Sequence, residues 1–410
     1  MVCERFEFVG TVDLRHLKAT MNRGKFIFSQ LMSLIHPEEF NRCVERYKGN
    51  HRVRQFSCWH QFLCLSFGQL THRESLRDIV VCLQAHNSKL YHLGLTKGVS
   101  RSTLADANEQ RDWRIYADLA QALIQKARDL YAGTILEEVD LDNSIYALDS
   151  TTIDLCLEVF WWAKFRKHKA AVKLHTLFDI RCQVPCFIHI TDGLFHDVNV
   201  LDILDFEKEA FYIMDRGYLD WIRLNYIHYQ GAYFVTRAKK NLAFERIYSN
   251  TVDKTTGLRC DQTIRLKNYY ASLDYPDNLR RIKYYDKEHD KTFVFLTNNF
   301  DVEAIQITLL YKYRWQIELF FKWVKQHLRI KVFWGESSNA VKTQIWVAVC
   351  TYVLVAILRQ THQISISMNE MLQILSVSAF DKTPVNQLLT NPNYKNENPD
   401  NPNQLILFDL

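Results

Sequence analysis

The first third of the chain repeats apolar residues at the i, i+3, i+4 spacing of amphipathic helices. This spacing predicts helices at residues 26–36, around 59–70, at 76–84 and at 113–130. Another short helix is expected within 98–114, with Ser102 as its N-cap and Arg101 as a candidate DNA contact. A Gly-containing turn before that helix fits either a helix-turn-helix or a plain helical hairpin. We therefore predict a helical N-terminal DNA-binding region over residues 1–140.

From Ser144 onward, the pattern changes to short apolar runs that are typical of buried strands. Strands are predicted at 145–148, 173–180, 184–190, 210–214, 232–237 and 292–296, with a hairpin turn at 181–183. Short helices are expected at 198–205 and 220–229. Strands that alternate with helices predict an α/β fold.

Residues 238–292 interleave Lys and Arg with Tyr and Phe in short strand-like segments. We interpret this stretch as a β-rich insertion with a basic face. It divides a catalytic core into a first part, 141–237, and a second part, 293–385. Two helices, at 341–359 and 368–380, complete the second part.

One long helix is predicted through residues 311–325, with Asn299 or Asp301 as its cap. At 100° per residue, four polar side chains share one face of it: Tyr311, Arg314, Glu318 and Lys325. Lys322 and Arg329 fall near that face and make it more basic. A single acid among bases suits a metal ligand beside a phosphate path better than a ladder of ion pairs. An ordinary amphipathic helix is the alternative.

Composition limits the cellular setting. The chain has 410 residues and a net charge of +5, which is compatible with nucleic-acid binding without establishing it. The ten cysteines form no CxxC pair, and the N-terminus lacks an apolar leader, so we expect a cytoplasmic protein with reduced thiols. The apolar run 345–358 is shorter than the roughly 20 residues that span a bilayer, so a buried helix and no membrane are expected. The Asn- and Pro-rich residues 386–410 predict an extended tail whose apolar end docks back on the body.

Three carboxylates are candidates for one site. Asp149 and Asp215 each follow a predicted strand, and Glu318 lies on the later helix. Side chains at strand ends form the ligand sites of α/β sheets, and three such acids can hold two divalent ions about 3.5–4 Å apart. Oxygen ligands favour Mg²⁺ or Mn²⁺ over zinc. Taken alone, each aspartate has the alternative role of a turn or N-cap residue.

Several other side chains have weaker claims on the same site. Lys173 ends a basic run, 164–173, that either lines a DNA path or forms a solvated loop. His196 and Asp197 lie on a polar loop that is expected to approach the metal ligands.

The order of these residues resembles that of the DDE transposases of the insertion-sequence-four family. The likeness rests on Asp149, on Asp215 in an Asp-Arg-Gly-Tyr turn, and on the spacing Y-x2-R-x3-E-x6-K that starts at Tyr311. It covers about residues 144–330, and the stretches KFIFSQLMSLI and SRSTLADANEQRDW also resemble the N-terminal region of one bacterial branch. The resemblance implies an RNase H-like mixed β-sheet flanked by helices, with a β-rich insertion before the helix that carries the glutamate.

The resemblance also implies a mechanism. Asp149 would bind both of two Mg²⁺ or Mn²⁺ ions, while Asp215 and Glu318 would each complete one site. Three side chains would hold the phosphates or terminal nucleotides of the transposon end: Tyr311, Arg314 and Lys325. The implied reaction is cut-and-paste transposition, with end nicking, a hairpin intermediate and strand transfer to target DNA. The N-terminal helices would bind terminal inverted repeats, and a homodimer would form the synaptic complex.

Three other functions agree with parts of the sequence. An RNase H-like nuclease would use the same carboxylates without strand transfer. A DNA-binding regulator derived from a transposase would have no use for three converging acids. A glycosidase would use paired carboxylates, but it leaves the basic helix face unexplained.

Overall fold

A computed structural model describes residues 24–390, apart from 96–97, 135, 137–138, 156–159, 161, 167–168 and 328–332. Two predictions lie outside these residues. They are the basic side chain of Arg329 and the tail from residue 391 onward, with its expected docking.

The described N-terminal part is helical, as predicted. Its helices are α1 Ile27–Met32, α2 Pro37–Arg46, α3 Cys58–Leu70, α4 Leu76–Ala85, α5 Arg101–Gln110 and α6 Arg114–Tyr131. Helix α1 ends earlier than expected, because His36 precedes a proline and is extended, and Pro37 then opens α2. The cap of α5 is Ser100 and not Ser102, since the Ser100 hydroxyl accepts the Thr103 N–H at 3.1 Å.

The core strands form a mixed sheet. They are β1 Ile145–Leu155, β2 Lys164–Arg166, β3 Lys169–Asp179, β4 Val184–Asp192, β5 Phe211–Met214 and β6 Tyr233–Arg237. Strands β1, β5 and β6 are parallel neighbours, while β3 runs antiparallel to both β1 and β4. The order β4-β3-β1-β5-β6 combines parallel and antiparallel neighbours, so the predicted mixed β-sheet flanked by helices is confirmed. A 3₁₀ turn, Asp197–Asp202, replaces the helix expected at 198–205, and α7 Trp221–Tyr229 agrees with prediction.

Strand β1 is longer than predicted, so Asp149 lies within it and not after its end. The ladder of β1 with β5 stops at Leu148 and Met214, whereas the ladder with β3 continues to Leu155. The sequence after Asp149 contains β-branched Thr and Ile, which favour continued pairing. Asp149 is therefore the first residue of β1 beyond the parallel ladder.

The predicted insertion extends the same sheet. Its elements are β7 Phe244–Asn250, β8 Leu258–Leu266, α8 Tyr269–Asp274 and β9 Leu279–Asp286, followed by β10 Lys291–Thr297. Each strand pairs antiparallel with the next, and β10 joins β6. The predicted domain boundaries, which divide the chain into 141–237, 238–292 and 293–385, stay a prediction. Strands from all three segments belong to one sheet, so the sheet itself marks no boundary between them.

The prediction of a single long helix through residues 311–325 is wrong. The chain forms α9 Ala304–Lys312 and α10 Trp315–His327, separated at Tyr313 and Arg314. Hydrogen bonds from residue i+3 to residue i tighten this junction, including Arg314 N–H to the Tyr311 carbonyl at 3.2 Å. The cap position of α9 belongs to Glu303, not to Asn299 or Asp301. Arg314 therefore lies in the tight turn between the two helices, directly before α10 begins.

Three helices close the described chain: α11 Ser338–Thr361, α12 Met368–Ser378 and α13 Val385–Thr390. Helix α11 contains the predicted run 345–358, but it is longer and is apolar enough to cross a bilayer by length and composition. It lies buried in the core instead, as expected from the sequence. The predicted tail was expected to be extended from residue 386, but residues 386–390 belong to helix α13. Val385 N–H bonds Gln30 Oε1 at 2.9 Å and holds the start of this helix against α1.

Two hydrophobic cores lie on the two faces of the sheet. Ile145 and Ala147 of β1 face a core shared with α3, α6 and α11, and Tyr146 and Leu148 face a smaller core against α7. This alternation follows the two-residue period of a strand. The larger core also contains α1 and α13, so the N-terminal helices pack as part of the main body.

A buried ion pair connects the added strands to the chain that leads into α9. Asp261 of β8 accepts two bonds from Arg280 of β9, both at 2.9 Å, and both residues are almost fully buried. Arg280 also donates to the carbonyl oxygen of Val302. Each charge therefore depends on the other for its stability in the interior.

We predict that Asp261→Ala lowers the free energy of unfolding by about 3 kcal/mol or more, because it leaves the Arg280 guanidinium buried and unpaired. Urea denaturation followed by circular dichroism measures this change. Glu245→Ala on exposed β7 is the matched control and should change it by less than about 0.5 kcal/mol. Equal effects of the two substitutions would contradict a structural role for the pair.

Candidate active site

The register of the parallel strands brings two acids and one base together. Met214 of β5 pairs with Leu148 on one side and with Thr236 on the other. The next residue on each strand therefore lies at the same edge of the sheet. Those residues are Asp149, Asp215 and Arg237. Arg237 Nη2 donates to Asp215 Oδ1 at 2.6 Å, and its Nε donates to the same oxygen at 3.2 Å.

Arg314 connects the strand to the helix. Its Nη1 donates to Asp149 Oδ2 at 2.8 Å, and its Nη2 donates to Glu318 Oε1 one turn further along α10. The Arg314 side chain is only 16% exposed, whereas that of Glu318 is 56% exposed. The sequence-predicted carboxylates Asp149, Asp215 and Glu318 thus meet around two guanidinium groups.

The environment of the two aspartates differs. The pKa of Asp149 is raised, first because burial disfavours its charged form, with further contributions from the charges of Asp215 and Glu318. Burial also acts on Asp215, but hydrogen bonds from Arg237 and from the Arg216 backbone outweigh it and lower its pKa. Of these two aspartates, Asp149 is the one whose charged form an additional nearby cation would stabilise.

The remaining residues of the spaced signature have different surroundings. Tyr311 is buried, and both Arg237 and Arg314 lie 5.8 Å from its ring centroid. Lys322 and Lys325 are exposed on α10. Tyr311 therefore supports the two guanidinium groups, and the two lysines face solvent.

The weaker candidates separate into two groups. Lys173 is 13% exposed and bonds Asp197 Oδ1 at 3.1 Å, so its partners here are internal. His196 is exposed and precedes the turn that holds Asp197. Arg101 is exposed at the start of α5, on the N-terminal helical part of the fold.

A groove opens beside Glu318. Its volume is about 610 Å³, and its lining includes Arg237, Tyr311 and Glu318 together with Tyr285 and His289 of the β9–β10 hairpin. A second cavity of about 460 Å³ shares Arg237. Its other basic lining residues are Arg216, Lys239, Lys240, Arg281 and Lys291. A basic surface thus continues from the carboxylates onto the added strands.

The donor set fits hard divalent cations. Three carboxylates supply oxygen ligands, and in this structure positively charged guanidinium groups occupy the space between them. Among the described residues, a tighter acidic group is Asp286, Glu288 and His289, whose ligand atoms lie within 4.8 Å of one another. That group is at the exposed hairpin tip, where acidic side chains are common without an ion.

Sequence reasoning missed Arg237, which pairs with Asp215, and Ser150, which bonds Asp197. Tyr218, quoted in the sequence only as part of the turn after Asp215, is buried at the end of that turn. The sequence could have indicated Arg237. Arg237 ends β6, Asp215 directly follows β5, and residues at the same ends of neighbouring parallel strands lie side by side. No comparable pattern marked Ser150 or Tyr218 as neighbours of Asp197.

Comparison with known proteins gives two family matches. Residues 140–354, more than half of the chain, match the transposase DDE domain. Residues 23–96 match a domain of unknown function, DUF4372.

Individual relatives agree with the first match. A protein of Sinorhizobium fredii named as a transposase, y4zB, is 30% identical over 69% of this chain and 78% of its own length. A transposase-named protein of a Geobacillus stearothermophilus insertion sequence is 30% identical over 50% of this chain and 54% of its own. One from Synechocystis is 24% identical over 69% and 79%.

Among solved structures, a piggyBac transposase synaptic complex with hairpin DNA covers 92% of this chain and 84% of its own, with a TM-score of 0.42 and 9% identity. That likeness is too weak to support an argument. The family match and the relative of 30% identity are sufficient: the chain belongs to the transposase DDE domain family and is a DDE transposase of the insertion-sequence-four type.

Proposed function

We propose that this transposase moves an insertion sequence by a cut-and-paste reaction at Asp149, Asp215 and Glu318. The observation that supports it most is the meeting of the three carboxylates with Arg237 and Arg314 at one sheet edge. The reaction comprises nicking at the element ends, a hairpin intermediate and joining of the 3′ ends to target DNA. The hairpin step comes from the family resemblance.

The carboxylates would hold two Mg²⁺ or Mn²⁺ ions, with Asp149 shared between them. Such ions activate a nucleophile and neutralise charge on the phosphate in transfer. The raised pKa of Asp149 and the oxygen-only donor set support this assignment. Arg314 would exchange at least one carboxylate for a DNA phosphate, to which a guanidinium can bind with two hydrogen bonds.

DNA would enter along the groove between α10 and the β9–β10 hairpin. Lys322 and Lys325 are exposed on α10, and Arg237 connects the groove to the basic cavity on the added strands. The Tyr311 ring would contact the guanidinium groups of Arg237 and Arg314 and hold them in place. The N-terminal helices, with Arg101, would bind terminal inverted repeats, and two protomers would bring the two ends together in the cytoplasm.

We predict that Glu318→Gln lowers the cleavage rate on the order of a thousand-fold, because it removes a charged metal ligand and several kcal/mol of transition-state stabilisation. The assay uses a labelled oligonucleotide that carries a candidate element end and flanking DNA, with Mg²⁺ or Mn²⁺, and resolves nicked, hairpin and joined products. DNA binding by the variant should persist.

The matched control is Glu303→Gln, an exposed acid at the start of α9 whose side chain makes no cap hydrogen bond. Its product pattern should equal that of the wild type. Cleavage without joined products would favour the hydrolytic nuclease. Binding without any cleavage by the wild type would favour the regulator, and cleavage that survives Glu318→Gln would refute the assigned site.

A second prediction concerns DNA affinity. Lys325→Ala should weaken binding to all DNA sequences and reduce the slope of log affinity against log salt by about 0.9, the value for one lost phosphate contact on duplex DNA. Fluorescence anisotropy at several salt concentrations measures the slope. The control is Lys208→Ala, because Lys208 is 78% exposed just before β5, at the opposite edge of the sheet. The same slope change in both variants would mean that Lys325 only adds to the net charge.

A further inference from the structure

A polar cluster lies behind the catalytic strand, on the sheet face opposite α10. Successive side chains of β1 point to opposite faces, so Asp149 contacts Arg314 and Ser150 contacts Asp197. The cluster comprises Ser150, Lys173, His175, Asp197 and Tyr218. Nothing in the proposed DNA path uses it.

Asp197 is the centre of this cluster. Its Oδ1 accepts the Ser150 hydroxyl at 2.7 Å and the Lys173 ammonium at 3.1 Å, and His175 Nδ1 lies 3.7 Å away. Lys173 is held in turn by the carbonyl oxygen of Phe195 at 2.8 Å. Burial lowers the pKa of His175 to about 4, so at neutral pH the charge that balances Asp197 is that of Lys173.

Ser150 links this centre to the catalytic carboxylate. Its hydroxyl bonds Asp197, and its backbone N–H donates to Asp149 Oδ1 at 2.8 Å. Displacement of the Ser150 backbone would therefore move a hydrogen bond made directly to the Asp149 carboxylate. Carboxylate ligands of metals are commonly oriented by such outer hydrogen bonds.

The same cluster reaches the second aspartate through Tyr218. This residue ends the 3₁₀ turn Arg216–Tyr218 that follows Asp215, and that turn touches the one that carries Asp197. The Tyr218 hydroxyl is buried beside Ser150. Burial and then the charges of Asp149 and Asp197 raise its pKa, so it stays a neutral phenol.

We propose that Asp197, held by Lys173, is a positioning residue that acts through Ser150 to fix the Asp149 carboxylate against the turn of Asp215. These hydrogen bonds would set the affinity of the catalytic carboxylates for divalent ions. In this proposal Lys173 holds Asp197, in place of the DNA contact that the sequence led us to expect of Lys173. The proposal rests on the proposed function in one respect, namely that Asp149 is a metal ligand.

The test measures Mn²⁺ binding directly, from the electron paramagnetic resonance signal of free Mn²⁺ in a titration of the full-length protein. Ser150→Ala should raise the dissociation constant for Mn²⁺ about 10-fold or more. Ser150→Thr, which keeps the hydroxyl, should restore it. The cleavage rate of Ser150→Ala should recover at high Mn²⁺, and its melting temperature and DNA affinity should match those of the wild type.

Ser144→Ala is the matched control. Ser144 lies just before β1 and donates a 2.7 Å hydrogen bond to Glu207 at the other end of the strand. Its removal should leave Mn²⁺ binding unchanged. Asp197→Ala should reproduce the effect of Ser150→Ala, and the double variant should be no weaker than either single variant, because both substitutions remove one connection.

The outcomes separate this inference from the proposed function. If Glu318→Gln abolishes Mn²⁺ binding while Ser150→Ala and Asp197→Ala bind like the wild type, the positioning role is refuted and the metal site stands. If Glu318→Gln binds Mn²⁺ like the wild type, the site itself is misassigned. Additive losses in the double variant would show that Asp197 does not act through Ser150.

Discussion

The parallel pairing of β1, β5 and β6 is the constraint on which the site depends. The ladder ends at Leu148 and Met214, so the next residues of three strands emerge at one edge. Two of them are acids and the third is Arg237. Because backbone hydrogen bonds hold these positions, the two aspartates and Arg237 need no flexible loop to bring them together. Only Glu318 has to arrive from outside the sheet.

Charge balance explains how so many acids share this edge. Buried carboxylates repel one another and are costly to ionise unless cations lie nearby. Arg314 and Arg237 supply that charge for Asp149 and Asp215, and Lys173 supplies it for Asp197 on the opposite face of the sheet. Arg314, in the turn directly before α10, bonds both Asp149 and Glu318, so a single guanidinium group connects β1 to the helix that carries the glutamate.

The sequence predicted the fold class and the three carboxylates because strand periodicity and the spaced signature are local patterns. The sequence analysis wrongly placed Asp149 after the end of a strand. Strand β1 continues past Asp149 because it pairs with β3, and pairing with a distant strand leaves no local pattern in the sequence. The sequence analysis also joined α9 and α10, because helical periodicity does not register a single tight turn at Arg314. The cluster around Asp197 was not predictable, as its members come from β1, β3 and two turns that only the folded sheet brings together.

Anomalous diffraction from crystals grown with Mn²⁺ and an element-end DNA would locate the metal without reference to activity. We expect manganese peaks bound by Asp149 with Asp215 and by Asp149 with Glu318, and Arg314 turned toward a DNA phosphate. Peaks confined to the exposed group Asp286, Glu288 and His289, with Arg314 still bonded to Asp149, would contradict this expectation.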